Sequence, residues 1–255
     1  MFHLSLALTV RPATTTGLAA GIAAVALLLA GPAHAALIDV QFQSPGGGGS
    51  SGTTGVAYTG GAVVGGAGDS WNHIQTSSGS MAVNTSTGAV SGITFTWSTS
   101  GIYGLSPGSS TFAATSYVNL MQSFAVTHSG NPAMSLGYHG LTPGQAFSLY
   151  IYGQSDGGSP NYGSTITVNG STQTALQTVT SSFVLGSNYL LFNGVADASG
   201  NISVSALTAS GKSEADINGM QLVTQVPEPA SALLLGAGVI GLATAQGRRR
   251  QGRQC

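Results

Sequence analysis

Several short runs of the chain alternate strictly between apolar and polar residues. In the first run, Ile38, Val40 and Phe42 are separated by Asp39 and Gln41. Alternate side chains of an extended strand share one face, so this pattern predicts a strand with one buried face. The same pattern recurs at Ile93, Phe95 and Trp97; at Phe147, Leu149 and Ile151; at Ile166 and Val168; and at Ile202 and Val204.

Turn-forming residues separate these runs, as at Asn169-Gly170 and Ser199-Gly200-Asn201. Short strands joined by polar turns are typical of β-sandwiches. Residues 44–55 are rich in Gly and Ser, and we interpret them as a long loop, because the strand before them is too short to be a domain. The sequence therefore predicts an all-β, jelly-roll-like β-sandwich.

One segment, residues 115–124, has a different period. Tyr117, Leu120, Met121 and Phe124 recur at spacings of three and four, which is the spacing of one helix face. This predicts one short helix, whose apolar stripe we interpret as a core contact rather than a binding surface.

The N-terminal segment has the order of parts found in a secretory signal peptide. Arg11 precedes an apolar run at residues 17–30, and Pro32 follows that run. The sequence Ala33-His34-Ala35 then supplies small residues on either side of one position, which is the usual cleavage signature. Cleavage after Ala35 makes Ala36 the first residue of the exported chain. Export by this route implies the Sec translocon as a partner.

A second apolar segment lies near the C-terminus. Residues 230–245 contain no charge and would rise about 24 Å as a helix, somewhat less than a ~30 Å hydrocarbon core. Arg248, Arg249 and Arg250 follow, and arginine side chains can extend to the interface and hold that end in the cytoplasm. The pattern predicts a single transmembrane helix before processing.

Pro227, Glu228 and Pro229 directly precede this apolar segment. Two prolines favour an extended backbone and keep it out of the following helix. A Val-Pro-Glu-Pro sequence, an apolar helix and an arginine cluster, in this order over about residues 226–250, resemble the PEP-CTERM sorting signal. The resemblance implies recognition by an exosortase, a membrane peptidase, which cleaves near the prolines. The three motif residues would then be substrate features.

These segments divide the chain into three parts: a signal peptide (1–35), a β-sandwich domain (36–225) and a sorting signal (226–255). The sorting resemblance implies passage through the inner membrane of a Gram-negative bacterium, and then placement at the cell surface or in the extracellular matrix.

Charge is scarce, since only 5% of the residues are charged. Between Ala36 and Val226, Lys212 is the only strong base beside six acids, so this part carries a net charge of about −5. Without a basic patch, nucleic-acid binding is not expected. Cys255 is the only cysteine, which excludes an internal disulfide and a cysteine-based zinc site.

Catalytic chemistry has few candidate residues. Glycoside hydrolysis normally requires two carboxyl groups, and only Glu214 and Asp216 are spaced to share one strand face. The remaining candidates are Asp69, Asp156 and Asp197, of which the last two have the surroundings of turn residues. We therefore expect no enzymatic activity.

The sequence also offers few candidate residues for binding a metal ion. His73, His128 and His139 are far apart in sequence and lack the spacing of paired metal ligands. We expect no cofactor and no metal site. A structural calcium ion is compatible with this type of fold, but the sequence assigns no ligand to it.

Carbohydrate binding has better candidates. Sugars stack their C–H faces on aromatic rings and bond their hydroxyls to amides, which favours Trp71, Asn72, Tyr150 and Tyr152. The two tyrosines alternate with Phe147, Leu149 and Ile151, so they are expected to face outward.

The segments GDSWN (68–72), GLTPGQAFSLYIYG (140–153) and INGMQLV (217–223) resemble galactose-binding-like jelly-roll domains, a group that includes carbohydrate-binding modules. We thus expect a non-enzymatic exported protein with a structural or adhesive role. The alternatives are a carbohydrate-binding module, with extracellular polysaccharide as its partner, and a secreted polysaccharide hydrolase. Similar tails also occur on ice-binding proteins, but the sequence lacks a regular Thr-rich repeat.

Overall fold

The computed structural model describes residues 35–46, 54–154, 161–177 and 180–224, all within one compact unit, His34–Pro227. These residues form fourteen strands, one short helix and a 3-10 turn at Pro107–Ser109. The helix is α1 (Val118–Met121). The strands are β1 (Ala36–Phe42), β2 (Asn72–Ile74), β3 (Ser78–Asn84), β4 (Val90–Ser98), β5 (Gly101–Gly104), β6 (Ser123–His128), β7 (Met134–His139), β8 (Ala146–Tyr152), β9 (Gly163–Val168), β10 (Ser171–Leu176), β11 (Tyr189–Val195), β12 (Asn201–Thr208), β13 (Glu214–Ile217) and β14 (Gly219–Thr224).

Two large sheets form the body of the domain. The five-stranded sheet has the order β11-β8-β14-β1-β2, and the six-stranded sheet has the order β10-β9-β12-β7-β4-β3. Their pairs are antiparallel except for β1 with β2. A small sheet of order β13-β6-β5 completes the described strands.

The main core lies between the two large sheets. Phe42 of β1 packs edge-on against Phe95 of β4, with ring centroids 6.5 Å apart, and Phe95 packs against Tyr138 of β7 at 4.9 Å. The apolar residues of all the alternating runs are buried here, which confirms those predicted strands and the all-β prediction. Two sheets that bury facing side chains in this way make a β-sandwich.

The predicted helix is shorter than its sequence pattern. Val118–Met121 is helical and buries Leu120 and Met121, but Phe124 belongs to β6, where it pairs with Tyr103. A helix of one turn has little stability of its own, so pairing of β6 with β5 and β13 determines the conformation after Gln122. Including Phe124 in the helical stripe was wrong.

A second apolar cluster covers the outer face of the five-stranded sheet. Residues 54–70, which we call the cover segment, supply Tyr58, and residues 110–121 supply Phe112 and Leu120. These side chains pack on Trp71 and Tyr152. The central strands of this sheet are therefore buried on both faces.

The two predicted turns use backbone conformations that suit glycine. At the β9–β10 turn, Asn169 and Gly170 have φ values of 45° and 85°, as a two-residue type I′ hairpin requires. Gly200 also has a positive φ of 75°. An added Cβ would meet no atom at Gly170, whereas at Gly200 it would overlap the carbonyl oxygen of Leu141.

We therefore expect Gly200→Ala to destabilise the domain more than Gly170→Ala. The left-handed conformation alone costs an alanine about 1–2 kcal/mol at either site. Only Gly200→Ala adds a backbone overlap, so its urea midpoint should be clearly the lower of the two. Equal midpoints for the two variants would contradict the packing around Leu141.

Candidate functional site

The outer face of the five-stranded sheet gathers three of the four residues predicted to bind a ligand, Trp71, Tyr150 and Tyr152. Backbone pairing aligns Tyr152 with Gly219, Tyr150 with Gln221, and Gln221 with Asp39. We call this surface the Tyr150 face. Asn72 follows Trp71 but aligns with Val40, whose side chain lies in the main core, so it belongs to the opposite side of the sheet.

Trp71 and Tyr152 are buried parts of the fold. The Trp71 indole N–H donates to the carbonyl of Gly60 at 2.8 Å, and its ring lies 6.4 Å from that of Tyr152. The Tyr152 hydroxyl donates to Gln221 Oε1 at 2.5 Å and accepts from the Val63 amide at 3.1 Å. Tyr152 faces away from the main core, as expected, but it is buried rather than exposed, because the cover segment lies over this side of β8.

Asn72 uses its amide group to join strands. Its Nδ2 donates to the carbonyls of Asp39 and Asn84, at 2.9 and 2.8 Å, while its Oδ1 accepts from the Asn84 amide at 2.9 Å. The side chain thus bridges β1 of one sheet and β3 of the other. The polar groups of Asn72 have structural partners rather than a free position for a ligand.

Tyr150 is the one predicted aromatic residue that stays partly exposed. Its ring stacks on that of Tyr189, with centroids 6.5 Å apart and an interplanar angle of 26°. Tyr189 is also partly exposed and packs against Phe183. This pair offers an aromatic surface at the edge of the cover, which is the arrangement that a sugar ring can stack against.

Sequence reasoning missed the buried polar row beside these rings. Asp39, Gln41 and Gln221 are fully buried on the Tyr150 face. Their alternation with apolar residues is what a strand with one solvent-exposed face shows, so the sequence pattern gives no sign that a cover lies over them. The cover segment supplies backbone groups to the two glutamines, from Val56 and Tyr58 to Gln41 and from Val64 to Gln221.

The two glutamines attach the cover segment to the sheet. Gln41 accepts from the Tyr58 amide at 2.8 Å and donates to the Asn119 carbonyl at 2.7 Å. Gln221 donates to Asp39 Oδ1 at 2.8 Å and to the carbonyl of Val64 at 3.2 Å. The cover is thus held by hydrogen bonds to backbone groups as well as by apolar packing.

Asp39 is the perturbed acid of this face. Burial raises the pKa of its carboxyl to about 7, the hydrogen bond from Gln221 opposes that rise, and the negative charge of Asp69 adds to it. Oδ2 of Asp39 is buried and has no hydrogen-bond partner among the described residues. Burial therefore shifts the ionisation of this carboxyl toward its neutral form in the folded domain.

The carboxyls predicted from sequence lie in separate surroundings. Glu214 and Asp216 do share β13, and Glu214 lies 3.4 Å from His128 Nδ1, while Asp216 accepts from Gln177 at 2.6 Å. Asp197 accepts from the amides of Ser199 and Asn201, which lowers the pKa of its exposed carboxyl. Asp69 accepts from the Gly66 amide within the cover segment, and Asp156 lies outside the described residues.

The histidines do not converge on a metal-binding arrangement. His73 lies on β2, where burial lowers the pKa of its imidazole, and His139 lies on β7 in the other large sheet. Within residues 35–46, 54–154, 161–177 and 180–224, no group of three or more His, Cys, Asp or Glu side chains could hold a metal ion.

The processing residues lie largely outside the described chain. Ala33, Pro227, Glu228, Pro229 and the three arginines 248–250 all fall there, as does the predicted membrane helix. Ala35 is exposed, and Ala36 begins β1. None of the helices in the described part has the length and apolar character of a membrane span.

Residues 225–250 match the PEP-CTERM protein-sorting motif. The match confirms the resemblance recognised from Pro227, Glu228 and Pro229, and it implies an exported protein that an exosortase sorts to the envelope or cell surface. The comparison with curated proteins gave no match.

Three solved structures are weakly similar. The ANX2 ectodomain from Arabidopsis thaliana is 10% identical, with 43% of this chain and 34% of that chain covered and a TM-score of 0.32. A family 35 carbohydrate-binding module from Clostridium thermocellum is 14% identical, with 38% and 80% covered and a TM-score of 0.26. An exo-β-1,3-galactanase from Phanerochaete chrysosporium is 15% identical, with 40% and 26% covered and a TM-score of 0.25. This chain therefore spans only about a third of the ANX2 ectodomain.

The raised pKa of Asp39 predicts that acid stabilises this face. The unfolded carboxyl titrates near 3.8 and the folded one near 7, so the folded state holds the proton more tightly. The stabilisation is complete below about pH 3.8 and is lost as the pH rises toward 7, by at most about 1.4 kcal/mol per pH unit.

Unfolding free energies measured from pH 4 to 8 should thus fall less for Asp39→Asn than for the unchanged chain. The variant should also be the more stable of the two at pH 8. Asp197→Asn is the matched control, because its exposed carboxyl has a lowered pKa and leaves this window unaffected. Parallel curves for Asp39→Asn and the unchanged chain would contradict the burial of an acid here.

Proposed function

We propose that this chain is a non-enzymatic protein with a structural or adhesive role, sorted by an exosortase to the envelope or exopolysaccharide matrix of a Gram-negative bacterium. The observation that carries the proposal is the PEP-CTERM motif at residues 225–250. The Sec translocon exports the chain, signal peptidase removes residues 1–35, and the exosortase releases the jelly-roll-like sandwich from its transmembrane helix.

The two proposed cleavage points lie just outside the first and last described strands in sequence. Ala36 pairs with Thr224, and the Ala36 amide donates to Thr224 Oγ1 at 3.2 Å. The sorting motif begins at the next residue, 225. Cleavage after Ala35 and near Pro227 would therefore remove both terminal segments without removing a residue from any described strand.

The surroundings of the acids support a non-enzymatic role. A glycosidase needs one carboxyl that donates a proton and another that acts on the sugar. Glu214 faces His128, Asp216 faces Gln177, and Asp197 closes a turn. Asp39 has a raised pKa, but it lies fully buried beneath the cover segment.

We expect replacement of the motif prolines to block release. Pro227→Ala with Pro229→Ala should leave the chain in the membrane fraction of its host, because the exosortase would lose its extended substrate. The unchanged chain should be found in the medium and matrix. Pro143→Ala, at an exposed turn of the domain, is the matched control and should be released normally. Normal release of the double variant would refute exosortase sorting.

A second candidate function is carbohydrate binding at the Tyr150 face. The observation that favours it is the partly exposed, stacked pair of Tyr150 and Tyr189. A sugar ring lying against this pair would place its hydroxyls near the polar edge of the same sheet, where Ser148 bonds to Asn193 at 2.7 Å.

Two tyrosine variants separate binding from stability. Tyr150→Ala should weaken binding of a glycan found on an array by tenfold or more and change the melting temperature little. Tyr152→Ala should lower the unfolding free energy by about 3–5 kcal/mol, as expected for a buried aromatic residue. Calorimetric titration and thermal melting give the two quantities. An array without hits, or full affinity in Tyr150→Ala, would count against this candidate.

A further inference from the structure

The outer face of the six-stranded sheet carries a row of hydroxyl groups that crosses every strand. Neighbouring strands lie about 4.8 Å apart, so side chains aligned across a sheet recur at about that spacing. Pairing aligns Thr172 with Thr167, Thr167 with Ser205, Ser205 with Ser135, Ser135 with Ser98, and Ser98 with Ser78. We call these six residues the hydroxyl row.

The hydroxyl row faces solvent. Its neighbours along each strand, such as Ile166, Val204 and Leu136, are buried in the main core, which places the row on the opposite face. Four of its members are exposed, and Thr167 and Ser205 are partly exposed. This array was not apparent in the sequence because its six members come from six separate strands.

A second, shorter row lies beside the first. Pairing aligns Ser203 with Gly137, Gly137 with Thr96, and Thr96 with Ser80. A Cβ added at Gly137 would lie 3.1 Å from Nε2 of His139, so the glycine lets that imidazole lie close to the sheet.

His139 presents a fixed ring among these hydroxyls. Its Nε2 lies 2.9 Å from Thr96 Oγ1, and its Nδ1 lies 2.9 Å from Asn201 Oδ1. Hydrogen bonds at both nitrogens hold the ring in one orientation. The ring is partly exposed, so its surface is available to a ligand.

The strands of this face carry no formally charged side chain, but the carboxylate of Asp197, in the turn before β12, bonds to Asn201 and interacts with His139. The six described strands contain no Asp, Glu, Lys or Arg. The strands offer no cation to a polyanion, and Asp197 would repel it, while a polycation would find only this one carboxylate, so neutral ligands are the complementary class. A ligand suited to the row must therefore be neutral, extended and rich in groups that both donate and accept hydrogen bonds.

We propose that the hydroxyl row and His139 bind a neutral polysaccharide chain that lies across the strands. Sugar hydroxyls exchange hydrogen bonds with the row, and the C–H face of one sugar rests on the His139 ring. The inference rests on the proposed sorting to the surface or matrix, where such a polymer would be met.

Two physical features set the character of this binding. Each exposed hydroxyl contact is weak, because water competes for it, so affinity arises from several contacts along one polymer. Adjacent strands rotate by about 20–25°, so the row curves across the sheet. A curved row fits a flexible chain better than a planar lattice such as an ice surface.

The test is affinity electrophoresis of the full chain in mild detergent, with dextran and a neutral soluble β-glucan as the polymers and alginate as the charged comparison. We expect a neutral polymer to retard the unchanged chain and alginate not to do so. Thr167→Ala, Ser205→Ala and Ser135→Ala combined should weaken the retardation by tenfold or more. The matched control removes three exposed hydroxyls elsewhere, with Thr59→Ala, Ser129→Ala and Ser199→Ala, and should bind normally.

Both triple variants should keep the melting temperature of the unchanged chain, because all six positions lie outside the core. The inference is overturned if no neutral polymer retards the unchanged chain, including the case in which the chain adsorbs to ice instead. Equal loss in the two triple variants overturns it as well. Loss with Tyr150→Ala alone would assign binding to the Tyr150 face instead. The outcome of the release test on the sorting motif does not depend on any of these results. Polysaccharide binding by the hydroxyl row and sorting by an exosortase can therefore be refuted independently.

Discussion

The pairing of β1 with β14 is the contact on which the rest of the domain depends. The two strands are the first and last of the described chain, and they lie side by side from Ala36–Thr224 to Gln41–Gly219. Since β14 also pairs with β8, and β1 with β2, removing either strand divides the five-stranded sheet. Completion of the sandwich therefore requires both ends of the exported chain. The same pairing brings Ala36 and Thr224, the strand residues nearest in sequence to the two proposed cleavage points, side by side.

Polar side chains are buried on one outer face of the sandwich and exposed on the other. On the five-stranded sheet, Gln41 and Gln221 bond to the backbone of the segments that cover them, and Asp39 remains buried at the cost of a raised pKa. On the six-stranded sheet, Ser and Thr side chains remain in water. A buried polar group must find a partner within the protein, whereas an exposed hydroxyl keeps water or exchanges it for a ligand. For this reason the exposed face is the better surface for broad, weak adhesion.

The sequence was sufficient to predict the all-β class, the buried alternating residues and the sorting motif, because each depends on local order. Phe147, Leu149 and Ile151 reveal one strand without reference to any other, and Pro227–Pro229 are recognised from consecutive residues. The burial of Tyr152 depends on residues 54–70, which are distant in sequence and have no strong hydrophobic pattern of their own. The hydroxyl row likewise depends on strand order and register, which no single segment encodes. The sequence therefore predicted correctly which residues share a face of a strand, but it did not predict which faces other segments cover.

We propose that this domain leaves the cell and is separated from both terminal segments. The decisive experiment is intact mass spectrometry of the protein recovered from the culture medium and matrix of its native host. We expect a species that begins at Ala36 and ends near Pro227. A species that retains Arg248, Arg249 and Arg250 would contradict it, because the C-terminal segment would then be a permanent membrane anchor rather than a sorting signal.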